Sequence, residues 1–256
     1  MRTILSFLAT VFGWLNLAVA TICCATGSLL TFWVPPRGWM VTVFARLWSH
    51  WWLWGSGVRV RRVGSAEAQQ LAGGIFLANH VSWYDIPALI VSVPGRVRFM
   101  AKRTLFQVPL FGWALHAGGF IPVDREDRSR AKESFQAAIE QLRHGGALIL
   151  FPEGTRSRDG KVHTFQRGGF LLALKAGLPI VPVGVEGTHT ILPRTTLRVR
   201  PGTITVHFGE PLDPAEYGLR GRKELMQRVR REVAELSGRG LAEGPPVEPL
   251  AKSEEG

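Results

Sequence analysis

The chain has 256 residues, enough for one sizeable domain and an appendage. Lysine and arginine number 31 against 20 acidic residues, and the net charge of +11 favours anionic partners. Nucleic acid is set aside as that partner, because no zinc-finger spacing and no basic run interleaved with aromatics in a polar setting occurs. Many of the nine tryptophans sit instead among apolar neighbours in the first 54 residues, a distribution suited to a membrane interface. The two cysteines, Cys23 and Cys24, are adjacent and offer neither a disulfide framework nor a metal spacing.

Residues 3–34 carry no charge. That run exceeds the roughly 20 residues that span a bilayer core. A cleavable signal peptide is the competing reading, with Ala18-Val19-Ala20 as a small-residue site, but the apolar run continues well past it. We expect a retained membrane segment. After Pro35, Pro36 and Arg37, residues 39–55 contain five tryptophans and read as an interfacial helix, with a core helix of the following domain as the alternative. Residues 1–57 are therefore expected to form a membrane-associated pair of helices.

Residues 58–61 alternate apolar and basic and read as the strand that enters a second region. Residues 74–78 form a buried strand, and residues 83–93 the helix after it, with Pro87 tolerated near its first turn. A strand at 97–101 ends at Lys102. The apolar stretch after it reads either as a core helix broken at Pro109 or as a wall facing an acyl chain or the bilayer. Residues 120–123 make a short strand. Residues 127–144 have the clearest helical spacing in the chain, stopped by Gly145-Gly146. Strands at 147–151 and 179–185 flank a helix at 168–176, and residues 197–199 and 203–208 around Pro201-Gly202 look like a hairpin. A basic amphipathic helix lies within 214–236. From 237 to 256 Gly, Pro and Glu dominate, and a disordered tail is expected. Strands alternating with helices over 58–236 give an α/β domain with a mixed, mostly parallel sheet flanked by helices.

Between the first buried strand and its helix lies NHVSWYD, residues 79–85. On a straight helix His80 and Asp85 would stand roughly 140° apart. They meet only if His80 lies outside the helix and Asp85 inside it. A carboxylate so placed holds one ring nitrogen of the histidine and leaves the other free to take a proton. Asn79 and Ser82 read as turn and cap residues.

His80 and Asp85 are followed in order by Lys102, GGFIPVDR (118–125), FPEGTRS (151–157) and VPVGVEG (181–187). This set, over about residues 75–210, resembles the glycerolipid acyltransferase family, typified by the 1-acyl-sn-glycerol-3-phosphate acyltransferases. The resemblance implies a glycerol-phosphate acyltransferase-like α/β fold. It also implies catalytic roles for His80 and Asp85 and acceptor binding by Arg125, Glu153, Gly154 and Arg156. The residue types agree. Gly154 lets backbone approach a ligand, and Thr155 and Arg156 donate to phosphate oxygens. Glu153 accepts only, and Lys102 offers a further positive charge. The remaining histidines show no ligand spacing, so no metal is expected.

The expected reaction moves a fatty acyl group from acyl-coenzyme A or acyl carrier protein to the free hydroxyl of a lysophospholipid, with His80 as general base and no cofactor. Lysophosphatidic acid is the leading acceptor. Lyso-ornithine lipid or another lysophospholipid is the alternative, and a non-catalytic lipid-binding scaffold is the rival of another class. The basic flanks Arg37, Arg46, Arg59, Arg61 and Arg62 favour a cytoplasmic-membrane location with the catalytic domain on the cytoplasmic side.

Overall fold

The computed structural model describes residues 2–35, 38–71, 73–123, 128–143 and 145–243. Two long apolar helices come first, α1 (Arg2–Leu30) and α2 (Trp39–Gly55). Then β1 (Val58–Gly64), α3 (Ala66–Gln70), β2 (Gly74–Ala78), α4 (Asp85–Ser92) and β3 (Val97–Lys102) follow. A 3-10 turn, Arg103–Gln107, leads to α5 (Phe111–Ala117), and Pro109 lies between the two. Next come β4 (Ile121–Val123), α6 (Arg128–Arg143), β5 (Ala147–Leu150), α7 (Gly168–Ala176) and β6 (Ile180–Glu186). A short helix, α8 (Thr188–Ile191), precedes β7 (Gly202–Phe208), and α9 (Arg222–Leu236) closes the fold.

These strands form one sheet in the order β1-β7-β6-β2-β5-β3-β4. Parallel pairing joins β6 to β2, β2 to β5, β5 to β3 and β3 to β4, so five strands end at one edge. The antiparallel β6–β7 pair reverses direction, and β1 lies parallel to β7. The expected mixed, mostly parallel sheet is thus the observed one. Alternation along β2 sends Phe76 and Ala78 into one core and Ile75 and Leu77 into the other. The first core is covered by α2 and α4, and the second by α6, α7 and α9.

The hairpin expected around Pro201-Gly202 does not form. Both edges of β7 are taken, by β1 and β6, so residues 197–199 have no strand to join. They run instead in a connection that is bonded to α1, where the Trp14 indole donates to the Leu197 carbonyl over 3.0 Å. The folded chain also runs past Leu236, where composition placed the tail. Leu241 bridges to Val162, the Arg239 guanidinium donates to the Gly160 carbonyl, and Ala242 is buried. The rest of that expected tail, 244–256, lies outside the described residues.

Residues 10–30 of α1 form a helical stretch long and apolar enough to cross a membrane. Its outward side chains include Phe12, Leu15, Ile22 and Leu30, each at least 60% exposed. In α2 the tryptophans divide. Trp39 and Trp54 face outward, as an interfacial helix requires. The other three turn in, and each indole finds an acceptor: Trp48 on Thr21, Trp51 on Asn16 and Trp52 on the Tyr84 hydroxyl. A buried indole N–H needs such a partner. The inward face of 39–55 thus packs as a core helix does, while Trp39 and Trp54 are left exposed on the other face. Through Trp52 and Tyr84, α2 is packed directly behind the 79–85 turn.

Candidate active site

His80 stands two residues beyond β2, at the edge where five strands end. In open α/β sheets that is the edge where ligands bind. The strand does not stop freely. The buried Asn79 side chain donates to the Val185 carbonyl over 3.0 Å and accepts its N–H over 2.7 Å. Its amide thus continues the β2–β6 ladder in place of backbone and fixes where His80 begins. Sequence reading gave Asn79 only a turn.

Asp85 is the first residue of α4 and is wholly buried. Its Oδ2 accepts from the backbone N–H of Val81 over 2.7 Å and of Ser82 over 2.9 Å, and meets His80 Nδ1 at 2.8 Å. An oxygen already accepting two N–H groups faces Nδ1 as an acceptor, so Nδ1 carries the imidazole proton and Nε2 presents a lone pair. The ring is 15% exposed and lies stacked on Phe151, with centroids 3.9 Å apart and planes 14° from parallel. Ser82 is not the helix cap expected of it. Tyr84 holds that position, and the Ser82 hydroxyl accepts the Tyr84 N–H over 3.3 Å while donating to the Leu192 carbonyl over 2.9 Å.

The 151–157 block follows β5, beside β2. Gly154 has φ +82, a conformation that favours glycine in this turn. The turn sends Glu153 inward and Arg156 outward. Glu153 is buried, and both its oxygens are occupied, Oε1 by the His80 backbone N–H and Oε2 by that of His163, each at 3.0 Å. The Ser157 N–H in turn donates to the His80 carbonyl over 2.7 Å. Glu153 therefore clamps the backbones of His80 and His163 together. Burial pushes its carboxyl up to about 7, against the opposing pull of the His163 and His80 N–H groups.

Arg156 lies over the Trp83 ring, 5.2 Å from its centroid, and Trp83 meets Trp14 of α1 edge to face at 5.7 Å. Burial lowers the Arg156 guanidinium from its ordinary value, and the nearby Arg194 lowers it further. Thr155 is partly exposed beside it. Below the turn, Asp159 accepts from Ser157, from the Lys161 N–H and from the His163 ring. Those bonds outweigh burial and hold its carboxyl near about 2. Lys102 ends β3, exposed at the same edge but two strands from β2, roughly 10 Å at ordinary strand spacing. Arg125 lies outside the described residues.

The structure thus brings His80, Asp85, Glu153, Gly154, Thr155 and Arg156 together and leaves Lys102 apart. Sequence reading gave no role to Phe151, Trp83 or Arg194. Phe151 opens the FPEGTRS block, and its place directly after a strand beside β2 was the available signal. Arg194 belongs to no motif. Among the described residues no three His, Cys, Asp or Glu side chains gather as a metal-binding set.

The site is thus a histidine held by a buried carboxylate at the carboxyl edge of an α/β sheet, with an arginine alongside. The chain belongs to the acyltransferase family, whose model, described as Acyltransferase, matches residues 59–186. The 1-acyl-sn-glycerol-3-phosphate acyltransferase of Salmonella typhimurium is 30% identical over 219 residues, covering 83% of this chain and 88% of that one. The chloroplastic 1-acyl-sn-glycerol-3-phosphate acyltransferase of Arabidopsis thaliana is 35% identical over 162 residues, or 63% of this chain. The chain spans only 44% of that plant relative's length. The crystal structure of the 1-acyl-sn-glycerophosphate acyltransferase of Thermotoga maritima superposes with a TM-score of 0.78 at 28% identity, covering 93% of this chain and 99% of that one.

Glutamine at 153 has one acceptor oxygen for two backbone N–H groups, so Glu153→Gln leaves one of them facing an NH2 group. Transfer by this variant is expected to fall at least ~10-fold, in line with the ~1–3 kcal/mol of a lost buried bond. The wild-type carboxyl is raised from its ordinary 4.5, so the stability it contributes is full below that value and declines as pH rises through about 7. Melting curves at pH 5.5 and 8 are expected to differ more for the wild type than for Glu153→Gln. Equal differences would show that Glu153 does not titrate in this window.

Proposed function

We propose that this chain is a membrane-associated O-acyltransferase that moves a fatty acyl group from acyl-coenzyme A or acyl carrier protein to the free hydroxyl of a lysophospholipid, with lysophosphatidic acid as the leading acceptor. The observation that carries the reading is the His80–Asp85 pair, its Nε2 open, beside Arg156. The relatives, named as 1-acyl-sn-glycerol-3-phosphate acyltransferases, support the same reading.

In this reading His80 Nε2 takes the proton of the acceptor hydroxyl as the oxygen attacks the thioester carbonyl. The new C–O ester bond forms, the C–S bond breaks, and the imidazolium returns the proton to the departing thiolate. Asp85 stabilises the imidazolium between these steps. Arg156 faces the acceptor phosphate. No cofactor enters, since base, acid and leaving group are all supplied by side chain and substrates.

An apolar cavity of about 90 Å³, room for only a short part of an acyl chain, lies near the site. It sits beside α4 and is lined by Val41, Phe44 and Trp48 of α2, Ile86 and Ile90 of α4, and Leu115 of α5. α1 closes its other side through Cys24 and Ala25. A lysolipid held in one leaflet would reach the site without leaving apolar surroundings.

Two outcomes are expected. His80→Ala, assayed in detergent with labelled acyl donors and a panel of lysolipids, loses at least ~10³-fold of the transfer rate while melting as the wild type does, the upper part of the range for a general base. Near-normal transfer in that variant would end the proposal, and product only from a phosphate-free lysolipid would change the acceptor. Protease added to sealed inverted vesicles, cytoplasmic face outward, is expected to digest the domain after α2. Digestion only in right-side-out vesicles would place it on the other side.

A further inference from the structure

Arg194 lies on the connection between α8 and β7, outside every sequence block that suggested a function. Its place is nevertheless fixed from three sides. The preceding Leu192 carbonyl accepts the Ser82 hydroxyl of the catalytic turn over 2.9 Å. Further along, the Leu197 carbonyl accepts the Trp14 indole of α1, and the Arg200 N–H donates to the Ile191 carbonyl over 2.9 Å. From this pinned connection Arg194 donates through Nη1 to the backbone carbonyl of Arg156.

Two guanidinium groups therefore share one small region beside His80, one residue away from the Ser157 N–H that bonds the His80 carbonyl. Neither forms a salt bridge with a carboxylate among the described residues, and the nearby Asp85 carboxylate only partly offsets the Arg156 charge. Arg156 has the face of Trp83, and Arg194 has a neutral carbonyl. Like charges so close repel, and buried or half-buried cations are ordinarily paired. A dianion placed between them removes the repulsion and uses the planar N–H forks of both.

We propose that Arg194 is the second arm of the acceptor site, binding the phosphomonoester of the lysolipid together with Arg156. This rests on the acyltransfer reading above. Trp83 orients the first arm, the Trp14–Leu197 bond and the Ser82–Leu192 bond hold the second, and the phosphate between them sets the acceptor hydroxyl against His80 Nε2. Phosphate also occurs on coenzyme A, so the assay separates acceptor from donor.

The test uses the full chain in detergent, as wild type, Arg194→Gln and Arg194→Lys. KM is measured for lysophosphatidic acid and for acyl-coenzyme A, with sn-glycerol 3-phosphate as a soluble competitor of the headgroup. Loss of one charge-assisted arm is expected to raise KM for the acceptor about 10–100-fold in Arg194→Gln. The inhibition constant of glycerol 3-phosphate rises by the same factor, the donor KM is unchanged, and lysine recovers part of the loss. An unchanged acceptor KM would overturn the proposal. So would a rise confined to the donor, which assigns Arg194 to coenzyme A, or a loss of kcat with an unchanged inhibition constant, which makes it only a loop support. If Arg194→Gln does not fold, an acceptor KM for Arg194→Lys equal to the wild-type value overturns it. If the wild type acylates no phosphorylated lysolipid, the functional reading fails on its own. Calorimetry with glycerol 3-phosphate then decides the site: binding lost in Arg194→Gln supports it, and no binding to the wild type refutes it.

Discussion

Everything at the site depends on one oxygen. Asp85 Oδ2 is buried at the start of α4 and accepts two backbone N–H groups of the turn before it as well as the His80 ring. The same three bonds close the turn, begin the helix and set the imidazole tautomer. A carboxylate near a helix N-terminus is favoured there in any case. Here that local preference also orients an imidazole. The spacing of four residues between His80 and Asp85 is what a chain needs to leave a strand, turn once and return a side chain at the first helical position.

Around this turn the fold supplies three backings. Asn79 extends the sheet ladder by one residue beyond β2 and fixes the direction in which the chain leaves it. Glu153 grips the His80 backbone from the neighbouring strand's loop, and the Ser157 N–H bonds the His80 carbonyl, so the histidine backbone is tied to the 154–157 turn. Tyr84 holds the turn against α2 by accepting the Trp52 indole and bonding Ser56. The apolar N-terminal pair is therefore bonded to the 79–85 turn, and its exposed outer face and the site keep a fixed relation. A buried glutamate bonded only to N–H groups is a costly element to keep, and its value lies in the rigidity it gives the histidine backbone.

Much of this was legible in the sequence. Periodicity and glycine or proline stops located β2, β5, β6 and α7 closely, because those segments are buried and their patterns are strong. His80 lies outside the helix and Asp85 inside it, as their spacing requires, because the turn's hydrogen bonding is local. The failures came where partners are distant in sequence. The hairpin at 197–208 was drawn from local turn chemistry, and β7 joined β1 instead. The bonds of Glu153 are not legible because its two N–H partners, on His80 and His163, belong to separate segments. Phe151 and Arg194 act through contacts with His80 and Arg156 that no spacing reveals. Residues 239–241 belong to the fold although composition placed them in a tail, because Arg239 and Leu241 find partners on the 160–162 segment.

The central claim is that Asp85 keeps the His80 proton on Nδ1 and leaves Nε2 bare. Nitrogen-15 histidine NMR of the full chain in detergent tests it, with the His80 signals assigned by their absence in a His80 variant. Spectra are taken near pH 8.5, about two units above the ordinary imidazole value. The account predicts a protonated Nδ1 with its proton in a strong hydrogen bond, and an unprotonated Nε2. A proton found on Nε2 would contradict it, since the nitrogen facing the substrate would then be unable to act as a base.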